Sequence, residues 1–174
     1  MSSLMPAAPA YTDAEIAHFL TVARTAIDET PFAWLATVAA DGGTNARAVR
    51  TTQGPPGSDA WTRRILVTRT SRKVAEIRAA PRVTLAYQHP SGDRYIALGG
   101  HADIIDDIAE MRTLWPAAYD AQFPPGFADA NMIIIEVAID RVEVHLRGLT
   151  VGPFGTGRTL LKREVGIWRF IPAW

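Results

Sequence analysis

The sequence predicts a mainly β chain: an antiparallel sheet closed into a barrel, with helices flanking it. Three observations lead there. Short apolar or alternating runs follow one another across tight Gly, Pro and Asp turns, the pattern of consecutive antiparallel strands. Helical spacing does not alternate with those runs, which disfavours a doubly wound parallel sheet. Closure into a barrel would leave few exposed edges.

The first element starts at Thr12, with Glu15 three residues on, a capping box in which each side chain satisfies an orphan backbone donor. Ile16, Phe19, Leu20, Ala23, Ala26 and Ile27 then give a helix one apolar face before Pro31 stops it. Phe32 to Ala39 and Thr44 to Thr52 read as a hairpin about the turn Ala40-Asp41-Gly42-Gly43. Trp61 to Thr70 is a third strand, and Ser71 to Ala80 a short helix with Val74 and Ile77 inward. Arg82 to Gln88 and Tyr95 to Ile105 follow as strands, with Val83, Leu85 and Tyr87 on one face of the former. Asp106 or Asp107 caps a helix carrying Ile108, Met111, Leu114 and Trp115. Phe123 to Phe127 reads as irregular. Met132 to Ile139, Arg141 to Leu146, Thr159 to Glu164 and Ile167 to Ile171 complete the strands.

One domain is expected over residues 12–174, with residues 1–11 a flexible lead-in. A 48% hydrophobic content supports one sizeable core and excludes a disordered chain. Lys plus Arg equals Asp plus Glu at 18 each, so bulk charge favours neither nucleic acid nor an anionic membrane as partner. No apolar run approaches the roughly 20 residues of a membrane-spanning helix. With no cysteine, disulfides, thiol nucleophiles and iron–sulfur clusters are excluded, and a cytoplasmic location is expected.

The segment Arg69-Thr70-Ser71-Arg72-Lys73 joins a strand to a helix. Helix N-termini carry free N–H groups and partial positive charge, so cations there are disfavoured. A bound phosphate reverses that penalty by meeting N–H groups, the Ser71 hydroxyl and two side-chain cations together. A solvated basic turn is the other reading of the same residues. Arg47 and Arg50 on the second strand add positive charge, but their odd separation points them to opposite faces of a regular pleat. His18, His89, His101 and His145 lack metal-ligand spacing, so no metal is expected. Gly152 to Gly157 is glycine-rich but contains Pro153 and reads as a loop.

The order of these pieces resembles the pyridoxamine 5′-phosphate oxidase-like FMN-binding split barrels, and within them the general stress protein 26 group. The pieces are Ala46-Arg47-Ala48-Val49, Ile65-Leu66-Val67-Thr68, Ser71-Arg72-Lys73, Ala79 to Leu85, and Tyr95 to Ala102. Leu114-Trp115 and Phe123-Pro124-Pro125-Gly126 with Asp129 are similar to that group's tryptophan and FP-x-G pattern. The resemblance implies an antiparallel split β-barrel that forms a homodimer with FMN at the interface. It implies Arg47, Ser71, Arg72 and Lys73 around the phosphate, and Val49, Val67 and Thr68 along the ring system. Arg50, Tyr95 and Trp115 are further candidates for contact with the flavin. Thr52 stands where the true oxidases carry a lysine, and Tyr95 where they carry a glutamine. Genuine pyridoxamine phosphate oxidation is therefore not expected. An FMN-dependent oxidoreductase acting on a small molecule is the leading expectation, with no catalytic residue assigned. A flavin binder without turnover, or a related barrel taking deazaflavin or haem, stays open, haem having His89 or Tyr87 as axial candidates.

Overall fold

The structure is a computed structural model, described here over residues 11–122, 131–150 and 159–171. All but the last residue of the expected lead-in, the FP-x-G stretch with Asp129, and the Gly152–Gly157 loop lie outside the described residues. The sequence reads as one domain from residue 12; contacts group the chain into two compact units. One comprises Met1–Thr30, Tyr87–Leu98 and Asp140–Trp174, the other Pro31–Ala86 and Gly99–Ile139.

The second unit carries most of the sheet. Its strands are β1 (Phe32–Val38), β2 (Thr44–Arg50), β3 (Thr52–Gln53) and β4 (Thr62–Thr68), with parts of β5 (Arg82–Gln88), β6 (Arg94–Ile105) and β7 (Met132–Leu146). The strand order is β2-β1-β5-β6-β7-β4-β3. This path has two ends, so the barrel is split rather than closed as the strand pattern alone predicts. The fold class is mainly β, an antiparallel split barrel with flanking helices. The chain steps from one end of the path to the other at Thr51, whose N–H is taken by the Pro31 carbonyl at 2.9 Å. That diversion divides the expected Thr44–Thr52 strand into β2 and a two-residue β3, which pairs only Thr52 with Arg64 and Gln53 with Arg63.

The β1–β2 hairpin is in register from Phe32 opposite Arg50 to Val38 opposite Thr44. Gly42, at φ +83°, supplies the left-handed turn residue that a side chain rarely adopts. Gly100 on β6 serves a different need, since a Cβ there would lie 2.5 Å from the Ala138 carbonyl oxygen of β7. β4 and β7 pair from Thr62 opposite Ala138 to Thr68 opposite Met132. Ile65, Val67, Ile133, Ile135 and Val137 from these two strands are buried. Three helices belong to this unit: α2 (Arg72–Ala79), α3 (Ile108–Leu114) and the short α4 (Tyr119–Gln122), which the sequence reading missed. Asp107 is the α3 cap, accepting from the Ala109 and Glu110 N–H groups at 2.8 and 3.0 Å. Met111 of α3 packs with Met132, Ile134, Leu66 and Leu114.

The first unit holds α1 (Asp13–Asp28) and the strands β8 (Thr159–Glu164) and β9 (Ile167–Ile171). The capping box is formed: Glu15 N–H donates to Thr12 Oγ1 at 3.3 Å and Thr12 N–H to Glu15 Oε2 at 2.7 Å. Ile16, Phe19, Ala23, Ala26 and Ile27 form the buried face of α1. Tyr11 meets Phe19 and Phe170 edge to face at 5.0 and 4.7 Å, fixing the helix start against β9. The strands expected at Met132–Ile139 and Arg141–Leu146 are one strand, β7. Burial on it falls on Ile135, Val137 and Ile139, then on Val142, Val144 and Leu146. The inward face thus changes parity at Asp140-Arg141. That polar pair is a change of phase within a strand, not a turn.

Candidate functional site

In the second unit a cavity of about 540 Å³ opens between β2, β4 and the α2 and α3 ends. Its size is that of a small-molecule or cofactor pocket. Ala48, Val49 and Arg50 of β2 form one wall, and Ile65 to Thr68 of β4 another. Lys73 enters from the first turn of α2, while Leu114, Trp115 and Tyr119 line the α3–α4 side with Met132. The wall is mixed: Val49, Ile65 and Val67 give it a buried apolar side, while Arg50, Thr52, Thr68 and Lys73 make the rest polar. Trp115 is held by its indole N–H, which donates to Asp120 Oδ1 at 2.8 Å, and stands edge-on to Tyr119 at 5.4 Å.

Six residues singled out in the sequence thus share one cavity: Val49, Arg50, Val67, Thr68, Lys73 and Trp115. The other four stand elsewhere. Arg47 lies on the opposite face of β2 from Arg50, as the odd separation requires. Its Nη2 donates to Glu76 Oε2 at 2.8 Å, and its Nη1 to the Thr37 hydroxyl and the Asn45 carbonyl. Arg72 is exposed and pairs with Glu76 at 3.2 Å, on the border of a second cavity of about 680 Å³ beside the β1–β2 turn. Ser71 is the α2 cap residue, but its hydroxyl caps nothing. Its Oγ is buried and has no hydrogen-bond partner among the described residues. Tyr95 belongs to the first unit, where its ring meets His145 edge to face at 6.5 Å.

The cations near α2 differ in how fully they are used. Arg69 is bound by Asp106 through two hydrogen bonds and by Asn131 Oδ1 at 3.1 Å. Arg47 and Arg72 share Glu76. Lys73 and Arg50 line the cavity with no hydrogen bond or ion pair to any described residue. Burial pushes the Lys73 ammonium below its ordinary value and Arg47 pushes the same way, while Glu76 opposes them. Glu76 is held below the usual carboxylate range, first by the Thr37 hydroxyl, against its burial, with Arg47 and Asn45 adding to the effect. The arrangement suits an anion. A helix start whose cap hydroxyl is buried without a partner adjoins a lysine that lines the cavity.

Sequence reasoning overlooked Glu76, Thr37 and Asn45, which form the network behind the site. Its one local signal was the i, i+4 spacing of Arg72 and Glu76. The contribution of Tyr119 and Met132 to the cavity carried no motif. Among the described residues no group of three His, Asp or Glu side chains gathers as metal ligands would. No helix among them is long and apolar enough to cross a membrane.

Comparison with known proteins places this geometry in a class of split barrels. The profile described as "Pyridoxamine 5′-phosphate oxidase like" matches residues 21–149. The chain belongs to the pyridoxamine 5′-phosphate oxidase-like family. No curated protein matches its sequence significantly. Among solved structures it is similar to general stress protein 26 of Bacillus anthracis str. Sterne, at 19% identity and TM-score 0.61, covering 73% of this chain and 93% of that one. It is also similar to a pyridoxamine 5′-phosphate oxidase-related, FMN-binding protein of Nostoc punctiforme PCC 73102. That match has 17% identity and TM-score 0.64 and covers 92% and 95% of the two chains. An F420 reductase matches at 24% identity and TM-score 0.51, over 66% of this chain and 90% of that one.

Proposed function

We propose that this chain binds FMN and acts as an FMN-dependent oxidoreductase on a small molecule. The observation that carries the reading is the pairing of a cofactor-sized cavity, one side of it apolar, with an unused anion cradle. Among the described residues the Lys73 ammonium makes no hydrogen bond or ion pair, and the Ser71 hydroxyl is buried without a partner. A phosphate would supply what both lack. In this reading Ser71, Lys73 and the first-turn N–H groups of α2 hold the phosphate, with Arg50 adding charge from β2. Arg47 and Arg72 contribute from behind, through Glu76. Val49, Val67 and Thr68 take the ring system, and Trp115 and Leu114 exclude water from one side. Bound FMN supplies electron and hydride transfer, while the protein orients it and sets its surroundings.

The chain works as a homodimer in this reading. Phe32 and Trp34 are 59% and 58% exposed on the outward face of β1. The register sets Trp34 opposite Ala48 and Phe32 opposite Arg50, so the apolar face borders the cavity. Exposed apolar surface of this kind marks an association site, and a second copy would cover it and wall the cavity. A monomeric mass in light scattering would contradict the dimer. The location is read as cytoplasmic.

A visible absorption titration of flavin-stripped protein with FMN tests the cofactor. Saturable binding with a perturbed flavin band is expected, and no binding would overturn the reading. A deazaflavin is the second reading, favoured by the likeness to an F420 reductase. F420 in the same titration would outcompete FMN if that reading is right. Oxidation of NADPH by the loaded protein separates an enzyme from a binder without turnover.

A further inference from the structure

Glu76 is the most heavily used carboxylate among the described residues, and neither the motifs nor the lining of the 540 Å³ cavity accounts for it. It sits in the middle of α2 and is 8% exposed. Oε2 accepts from the Thr37 hydroxyl at 2.6 Å and from Arg47 Nη2 at 2.8 Å. Oε1 accepts from Asn45 Nδ2 at 2.6 Å and faces Arg72 Nε at 3.2 Å. Four donors thus come from three elements, β1, β2 and α2 itself. A buried carboxylate so satisfied fixes its surroundings, because any shift of α2 against the hairpin breaks several charge-assisted bonds together.

The consequence reaches Lys73, three residues earlier on the same helix. Among the described residues, the charged or titratable groups around Lys73 are Arg47 and Arg50 on β2, Arg72 and Glu76 on α2, and Tyr119 across the cavity. Arg69, at the end of β4, is already taken by Asp106. Glu76 is the one acid in that set. We propose that Glu76 is a positioning residue for the anion site: it clamps α2 to the β1–β2 hairpin, and its charge offsets that of Arg47 beside Lys73 at the cavity wall. The role in ligand binding rests on the flavin reading; the effect on Lys73 does not.

The chain has only two lysines, Lys73 and Lys162. Lysine labelled at Cε therefore gives two NMR signals, and the full-length, ligand-free protein can be titrated directly. Lys73 is expected to titrate below the ordinary lysine value in the wild type. In Glu76→Gln, which keeps shape but removes charge, the Lys73 midpoint falls further. Glu76→Asp returns Lys73 toward the wild-type value. Should Glu76→Gln not fold, Arg47→Met decides in the opposite sense, raising the Lys73 midpoint above the wild type. An unmoved Lys73 in the variant that folds overturns the proposal. For ligand binding, Glu76→Gln should weaken FMN by about tenfold, the scale of one charged hydrogen bond, with riboflavin changed less than about twofold. A parallel loss of both flavins would mean that Glu76 only holds the fold, and would overturn the positioning role. If the wild type binds neither flavin, the functional reading fails while the Lys73 titration still decides the rest.

Discussion

Two charged clusters in the same unit are built from the same residue types in opposite ratios. Around Arg64, which is almost fully buried, one guanidinium lies between two carboxylates, Glu136 at 2.6 Å and Glu110 at 2.5 Å. Around Glu76, one buried carboxylate lies among Arg47, Arg72 and the nearby Lys73. The first cluster ties α3 to β4 and β7, and its cation has all the counter-charge it can use. The second leaves positive charge over, and that surplus lines a cavity. Burying charge is costly unless it is paired. A surplus left at a cavity wall is therefore where a ligand, rather than the fold, supplies the counter-charge.

Breaking the closed cluster should have the largest effect on stability. Arg64→Ala strands two carboxylates, each with partial access to water, and is expected to cost about 3 kcal/mol in urea unfolding. A change under about 1 kcal/mol would mean that the tie is ornamental. Breaking the open cluster should act on binding instead. Lys73→Ala is expected to weaken FMN by about 1.5–3 kcal/mol, the scale of a charged hydrogen bond, with the unfolding midpoint nearly unmoved. Arg47→Ala should weaken FMN on the same scale, and because it also strips Glu76 of a partner it should lower stability. Arg50→Ala should have the smallest effect on affinity, about 1 kcal/mol or less, because the side chain is exposed to screening by salt.

Acid sharpens the same contrast. The Glu76 carboxyl titrates lower in the folded protein than in the unfolded chain, so its contribution is present above the ordinary glutamate value near 4.3 and is lost as pH falls through the folded value. Glu76→Gln should accordingly flatten the decline of stability below about pH 4.5. A decline as steep as that of the wild type would assign acid sensitivity to other carboxylates.

Much of the fold was legible because it is written locally. Thr12 with Glu15 marks a helix start, Gly42 a turn, and the alternation Val83, Leu85, Tyr87 a half-buried strand. The errors lie where distant segments decide the outcome. The sequence reading breaks the strand at Asp140, yet β8 pairs with β7 from Arg141 to Val144 and the strand runs on through the break. The division of the second strand depends on the Pro31 carbonyl taking the Thr51 N–H across 20 residues of sequence. At the site, the local anomaly of cations at a helix start was readable in Ser71-Arg72-Lys73. The fate of each cation was not, because Arg47 meets an acid 29 residues away and Arg69 one 37 residues away.

The central claim is that the positive surplus at the start of α2 binds a flavin's phosphate. Comparing FMN with riboflavin on the purified wild-type protein tests it most directly, since the two ligands differ only in that group. FMN should bind at least about 100-fold more tightly, as two or more charge-assisted contacts require. Equal affinities would contradict the account, leaving the cavity without a phosphate site and the cations as a solvated turn.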